Sequence, residues 1–318
     1  MWADRSRGAL PAFEEAVTTP SGQIPHAGIA VVNYHSADDV SGLLSSLPRE
    51  EGVRVTVVVV DNSESPAEVD RLRVVAGSKE AAGLDVHVVD AGRNGGYAAG
   101  NNRAVAELAG FGPDVVVVAN PDIRWERGSL GDLVRFSLAH PGSVVSIPTS
   151  EHGSVTSGMT RFLPLTGYFR ADEPGSAHPL AYASGHCFAL PASLWADLDG
   201  LTEDYFLYCE EIDLAFRLRA RGGDFQTFDP VVVEHAGGGT INQGEDARSG
   251  VSFFYGTRSR VMLYRRFRRL RLFLIPFLVL RLGWAGFLAV TGKPRSGATV
   301  VRALWSGLRV PLTPGRGA

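Results

Sequence analysis

The sequence predicts an α/β protein: a Rossmann-like, mostly parallel sheet with flanking helices, followed by a basic and apolar helical segment at the C-terminus. Three observations predict it. Unbroken β-branched runs such as RVTVVVVDN mark strands buried on both faces, the habit of a parallel sheet. Strand and helix patterns alternate four times between Gly28 and about Ile147, as right-handed βαβ units require. Finally, residues 251–318 hold thirteen Arg or Lys and no Asp or Glu, interleaved with Leu, Phe, Ile and Trp.

Composition narrows the function classes. With 318 residues, 45% of them apolar, the chain can bury a sizeable core, which excludes disorder as the main state. Its two cysteines, Cys187 and Cys209, are too few for a disulfide scaffold or a four-thiolate zinc site, so a reducing compartment is expected. The formal charge of −3 hides a division: the first 250 residues carry 18 basic side chains against all 34 acidic ones, a net of −16. An acidic body with a basic, apolar tail does not suit a nucleic acid partner; it suits an anionic membrane surface.

Residues 1–26 contain no apolar run and read as a flexible lead-in, neither signal peptide nor anchor. Regular patterning begins with GIAVVNY at Gly28–Tyr34, passes through a mixed stretch from Ser36 to Leu47, and resumes in the strand ending at Asn62. Ser65 as N-cap, Pro66 in the first helical position and Glu68 placed for a capping box predict a helix start. DVHVVDA at Asp85–Ala91 is a third strand and DVVVVANPD, ending at Asp122, a fourth; another helix and strand run to about Ile147. After about Ser150 the alternation fails, and loops are expected until Tyr182–Trp195. A helix holding Glu210, Glu211 and Asp213 follows, then a strand running into the glycines before Thr240. These patterns predict a main domain over residues 27–245 and a helical region over 246–318.

Within the tail, five arginines between Arg265 and Arg271 precede Leu272–Val290, nearly long enough to cross a bilayer. Pro276 and Arg281 interrupt it, and a charge at mid-span costs about 2.5 to 3.5 kcal/mol. An interfacial or re-entrant helix pair is therefore expected ahead of a full span; a core-packed hairpin with a basic outer face is the remaining reading.

Ligands of open α/β sheets sit beyond the carboxyl ends of the strands. That rule selects Asn33-Tyr34, Asp61-Asn62, Arg93–Asn102 and Asn120–Asp122. Asp61 can accept from a base or ribose hydroxyl while Asn62 ties the turn, although such a pair also serves as plain turn chemistry. RNGGYAAGNNRA allows close backbone approach and opens a helix whose N-terminus suits a phosphate; as a tight βα turn it would look the same. Asp122, stiffened by Pro121, can reach a divalent cation carried by a diphosphate, or close an Asx turn. Three acids within Glu210–Asp213 repel, which raises at least one pKa and suits a general base; the alternative is a solvated helix start with an Asp213–Arg217 pair. His235 ends a strand before a glycine run, where it is either structural or a metal or diphosphate contact.

NYHS, VVDNS, RNGGYAAGNN, ANPD, SGHCFALP, FLYCEEIDLAFRLRARGG and VVVEHAGGGT, in that order, closely resemble family 2 glycosyltransferases, above all the rhamnosyltransferase-like branch. The similarity runs from about Ile29 to Thr240 and extends into the tail through FYGTRSRVMLYRRF. The resemblance implies a GT-A fold, a nucleotide-sugar donor, a divalent metal (Mg²⁺ or Mn²⁺) and inversion at the anomeric carbon. It places Asn33, Tyr34, Asp61, Asn62, Arg93, Asn94, Gly96, Asn102 and Asn120 on the donor and Gly185, His186 and Asp213 towards the acceptor. Asp122 would bind the metal, with His235 as second ligand. The catalytic base would lie in the Glu210-Glu211 pair, where Glu211 stands in place of the family's usual Asp. The longer arm shifts the base by about one methylene. A lipid-linked or glycan acceptor at the cytoplasmic face of the cell membrane would explain the tail. A membrane-tethered sugar-nucleotide binder without turnover would explain Glu211 instead; a nucleotidyltransferase would need a glycine-rich, arginine-bearing N-terminal loop that this sequence does not show.

Overall fold

The computed structural model describes residues 24–151, 153–235 and 245–313. The expected lead-in falls almost wholly outside these residues, as do the glycines after His235. The first strand already begins at His26.

The chain alternates β1 (His26–Asn33), α1 (Ala37–Ser46), β2 (Arg54–Asp61), α2 (Pro66–Ala76), β3 (Asp85–Asp90), α3 (Gly96–Leu108) and β4 (Val115–Ala119). It continues through β5 (Ile123–Arg127), α4 (Leu130–Ala139) and β6 (Ser143–Ser146). Then come β7 (Thr149–Glu151), β8 (Ser154–Thr156), β9 (Met159–Leu163), β10 (Tyr168–Ala171), β11 (Ala181–Ala183) and β12 (Cys187–Pro191). The rest is α5 (Ala192–Asp197), α6 (Glu210–Ala220), β13 (Asp224–Thr227), β14 (Val232–His235), α7 (Glu245–Arg266), α8 (Leu274–Val290) and α9 (Pro294–Arg309).

Seven strands form the main sheet in the order β13-β6-β12-β4-β1-β2-β3. The valine runs lie at its centre: Val57 to Val60 on β2 and Val115 to Val118 on β4 are at most 1% exposed. Every neighbour pair is parallel except those of β12, which runs antiparallel between β4 and β6. That inversion returns Gly185 and His186, just before β12, to the same edge as the carboxyl ends of β1, β2 and β4. The stretch expected to be loops instead supplies strands to two small sheets, β10-β9-β11 and β5-β14-β7-β8, the second completed by β5 and β14 from outside it. Their strands are three to five residues long, too short for a period-two pattern to show, and the pairing partners supply the order.

The start of α2 is as predicted at Ser65, whose Oγ accepts from Glu68 N–H at 3.4 Å, with Pro66 in the first turn. Glu68 does not close a capping box. Its Oε1 accepts from Ala37 N–H at 2.9 Å and so caps α1, whose own Ser36 makes no side-chain cap.

The tail grows out of the main core. Val261, Met262, Leu263 and Tyr264 of α7 are fully buried in the cluster that holds Phe162, Tyr205 and Phe188. Helix α9 packs on both α7 and α8. Arg281 is not exposed to an apolar solvent: it is 9% exposed, and its guanidinium lies 5.1 to 5.4 Å from the ring centres of Tyr168, Phe277 and Trp284. Two of the five arginines before α8 also point inward. Arg265 Nη1 donates to Gly307 O and Val310 O, and Arg266 pairs with Asp204 and Asp213.

Candidate active site

The carboxyl edge of the sheet gathers most of the residues selected above. Tyr34 stands exposed there, edge-on to His35 at 4.7 Å, an open ring for a base to stack on. Asp61 is buried, with Oδ1 accepting from Asn33 Nδ2 at 2.7 Å and Oδ2 from Ser63 Oγ at 2.5 Å; each oxygen keeps a lone pair. Asn33 was expected to touch the nucleoside, but it has nothing left to offer. Its Nδ2 also donates to Glu68 and its Oδ1 accepts from Ser36 N–H and Oγ–H, so both donors and both acceptor sites are spent. Asn33 positions Asp61 instead.

Asn62 Nδ2 donates to Gly96 O at 3.0 Å, and Asn94 Oδ1 accepts from Gly96 N–H at 3.0 Å. Gly96 itself sits at φ +85°, where a Cβ would meet Phe206 O at 2.2 Å, so only glycine lets the turn close on that loop. Arg93 is exposed beside it. A cleft of about 520 Å³, bordered by Asn62, Asp90, Arg93, Gly100, Arg103 and Glu203, opens next to this turn. Asn102 borders the same cleft, yet its amide is committed to structure: it donates to Leu201 O and Glu203 Oε1 and accepts from Leu201 N–H. Asn102 clamps α3 to the 201–203 loop, which leaves one lone pair of Oδ1 for the donor expected there.

At the start of α6 the backbone is strained: Tyr208 and Cys209 hold φ of +70° and +77° without being glycine. The turn throws Glu210 inward and Glu211 outward. Glu210 is 1% exposed with Oε2 unpartnered, and burial, then the neighbouring Glu211, push its carboxyl well above the usual range. Glu211 lies half-buried against Gly185, where a Cβ would come within 1.8 Å of its Oε1. Burial lifts its pKa to about 7. Gly185 is held in place by Tyr97, whose hydroxyl donates to Gly185 O and whose N–H donates to Phe206 O at 2.9 Å.

Asp213 was expected on the acceptor side, and the structure closes it off. It is 0% exposed; Oδ1 accepts from Thr202 Oγ1 and Arg217 Nε, both at 2.7 Å, and Oδ2 meets Tyr205 Oη and Arg266 Nε, both at 3.2 Å. It joins α6, the 202–205 loop and α7.

The third cluster surrounds Asp122. His235 Nε2 lies 3.4 Å from Asp122 Oδ2, and His235 Nδ1–H donates to Glu151 Oε1 at 2.9 Å. The hydrogen bond that His235 donates to Asp122 outweighs burial and lifts His235 to about 8. Burial pushes the Asp122 carboxyl up, but the hydrogen bond and charge of His235 win and hold it below its usual value. His186 stacks on His235 with ring centres 4.8 Å apart, and burial, then the His235 charge, drop it to about 4. The His186 ring therefore belongs to this cluster, one residue on from the Gly185 that packs against Glu211. Asn120 N–H donates to His186 O at 2.8 Å, tying the two turns together.

A divalent cation fits these residues in part. Asp122 Oδ1 is buried with no partner, and one carboxylate plus one imidazole suit Mn²⁺ better than the oxygen-seeking Mg²⁺, with Glu151 orienting the imidazole and the Nε2 proton of His235 leaving as the metal binds. Among the described residues no three such groups converge as a ready-made site, so the remaining ligands would be oxygens of the donor's diphosphate. The sequence alone singles out neither Glu151 nor Tyr97, and it marks Glu68 only as a capping-box residue rather than as a partner of Asn33 and Ala37. Tyr97 sits next to Gly96 in the glycine-rich turn, the one signal available; Glu151 reaches His235 only because β7 pairs with β14.

The profile of glycosyl transferase family 2 matches residues 28–197, more than half of the chain. The chain belongs to that family. It is 29% identical over 218 residues to the low-salt glycan biosynthesis hexosyltransferase Agl10 of Haloferax volcanii, covering 64% of this chain and 66% of that protein. It is 27% identical over 227 residues to an N-acetylglucosaminyl-diphospho-decaprenol L-rhamnosyltransferase of Mycobacterium tuberculosis, covering 61% of this chain and 70% of that one. Among solved structures, the mannosyltransferase PcManGT of Pyrobaculum calidifontis, in complex with GDP-Man and Mn²⁺, superposes with TM-score 0.54 at 19% identity over 92% of this chain and 78% of its own. TarS of S. aureus gives TM-score 0.53 at 15% identity, over 90% and 80%. At such identities these two show a shared fold, the GT-A arrangement that this family member was expected to have.

Proposed function

We propose that this family 2 member is an inverting, metal-dependent glycosyltransferase that moves a hexose, with rhamnose favoured, from a nucleotide-sugar to a glycan or polyprenyl-diphosphate-linked acceptor. The observation that carries the reading is Glu211. A carboxylate titrating near pH 7, pressed on Gly185 at the carboxyl edge of the sheet, is poised to take a proton from an acceptor hydroxyl at working pH. The deprotonated oxygen would attack the anomeric carbon from the face opposite the diphosphate, which inverts it. Glu210 is buried behind Glu211, and that burial, then Glu211 itself, push its carboxyl well above the usual range, which disfavours a second negative charge beside the base. Tyr34, Asp61 and Arg93 would hold the nucleoside. Asp122 and His235 would hold the cation, which when bound offsets the charge of the departing diphosphate. The rhamnosyl and lipid-linked parts of the proposal rest on the names of the mycobacterial relatives.

The tail would keep the enzyme on the cytoplasmic membrane face. Residues Arg268–Val290 are long and apolar enough to cross a bilayer. Against a span, α8 is backed by α9 and buries Arg281, while Ile275, Val279, Leu282 and Val290 form one exposed apolar stripe, as in a helix lying in the interface.

Thermal stabilisation by dTDP, UDP and GDP, each with and without Mn²⁺, tests the reading in the wild type and in Asp122→Ala. A nucleotide-selective, metal-dependent rise that Asp122→Ala removes is expected. No rise with any nucleotide would overturn it. A rise with no turnover on supplied acceptors would leave a sugar-nucleotide binder, the reading that Glu211 in place of the usual Asp favours.

A further inference from the structure

At the C-terminal end of α6, away from the donor edge, lies a second cavity of about 300 Å³. Phe216 and Phe267, stacked 4.3 Å apart, form its floor, Pro179 and Ala220 a wall, and Arg219, Arg268 and Arg269 its rim. Arg266 and Arg217 nearby are consumed by Asp204 and Asp213, but among the described residues none of the three rim arginines makes an ion pair. Arg219 is only steadied, donating to His178 O at 3.1 Å and lying over the Phe225 ring at 4.8 Å. Arg219 feels the nearby Asp224 carboxylate, but among the described residues Arg268 and Arg269 have no acidic partner. Guanidiniums gathered over an apolar floor repel one another, and an anion seated among them offsets that cost.

We propose that this groove binds the headgroup phosphate of an anionic membrane phospholipid. The occupant follows from continuity and charge. Arg268 and Arg269 open the turn that leads directly to Leu272 and Ile275, which are 69% and 71% exposed and begin the apolar stripe of α8. A phosphate on the rim thus meets an apolar surface where acyl chains would lie, the order of layers in a lipid leaflet. No acidic residue in 251–318 opposes it. A donor nucleotide is the wrong occupant, because α6 separates the groove from Glu211 by about 12 Å of helix. The inference rests on the membrane part of the proposed function and gives it a place: the catalytic helix itself would end on the membrane.

The test is vesicle co-sedimentation of the full chain, using phosphatidylcholine alone and phosphatidylcholine mixed with phosphatidylglycerol. The variants are Arg268→Ser/Arg269→Ser and, as a control of equal charge, Lys293→Ser/Arg295→Ser. Expected is a clear preference for the anionic vesicles that the groove variant loses by about thirtyfold while the control pair loses less than half as much on a logarithmic scale. Both variants should keep the wild-type thermal shift with nucleotide, which shows that they fold. Equal losses in the two variants would mean diffuse charge and overturn the site, as would equal binding to both vesicle types. So would stabilisation by inorganic phosphate that needs Arg268 and Arg269 without any vesicle preference. Vesicle binding that survives in a protein showing no nucleotide shift would sink the transferase reading and leave the groove standing.

Discussion

Replacing Glu211 with glutamine should stabilise the protein while removing transfer. In the folded chain burial holds the Glu211 carboxyl at about 7 against 4.5 when unfolded. A carboxyl raised on folding contributes fully below the unfolded value and loses that contribution as pH climbs towards the folded one. Above neutrality the wild type therefore carries a penalty of at most about 3 kcal/mol, reduced by whatever water screens the half-buried side chain. Glutamine cannot ionise, so Glu211→Gln should gain about 2 to 3 kcal/mol near pH 8 and almost nothing near pH 4.5. Easing Glu210, whose carboxyl is also pushed up by its neighbour, acts in the same direction. Urea denaturation of both proteins across that range measures it. The transfer rate of the wild type should rise about tenfold per pH unit up to about 7 and then level, and the variant should lose about a hundredfold or more at every pH. A Glu211→Gln protein no more stable than wild type near pH 8, or one whose gain ignores pH, would refute the buried-base argument.

Gly185→Ala would drive a Cβ to 1.8 Å from Glu211 Oε1, so transfer should fall by about a hundredfold while the nucleotide thermal shift persists; unaltered turnover would contradict the contact. Asp213→Asn strands the buried Arg217 without its carboxylate and leaves Arg266 with Asp204 alone, and should cost about 3 to 5 kcal/mol of unfolding free energy, with or without donor. A loss under about 1 kcal/mol would show that the hub is dispensable. Glu68→Ala uncaps α1 and leaves Asn33 Nδ2 one acceptor short, so about 1 to 3 kcal/mol should disappear, together with some nucleotide affinity through Asp61.

Much of the molecule was legible because its signals are local. The valine runs of β2 and β4 read as strands from composition alone, and Ser65-Pro66 announced α2 because a helix start needs only adjacent residues. Glu68 shows the limit: its position four residues into the pattern suggested a capping box, but its partner is Ala37, thirty-one residues upstream. Asp213 shows the same limit: it has the side chain a ligand site wants, but all of its acceptor positions go to the protein's own loops and helices.

By itself, the sequence determined the α/β class, the main parallel strands and the strand-end turns where ligands collect. It also determined the acidic pair on α6 and the charge division between body and tail. These follow from side-chain periodicity and from turn chemistry, which act within a few residues. Only the tertiary structure decided that β12 runs antiparallel and brings Gly185 onto Glu211. It alone stacked His186 on His235, turned Arg265 and Arg266 inward, and left Arg268 and Arg269 on the rim of a groove. Whether a polar group is spent on its own fold or left free for a ligand depends on neighbours distant in the chain, and close packing is what selects those neighbours.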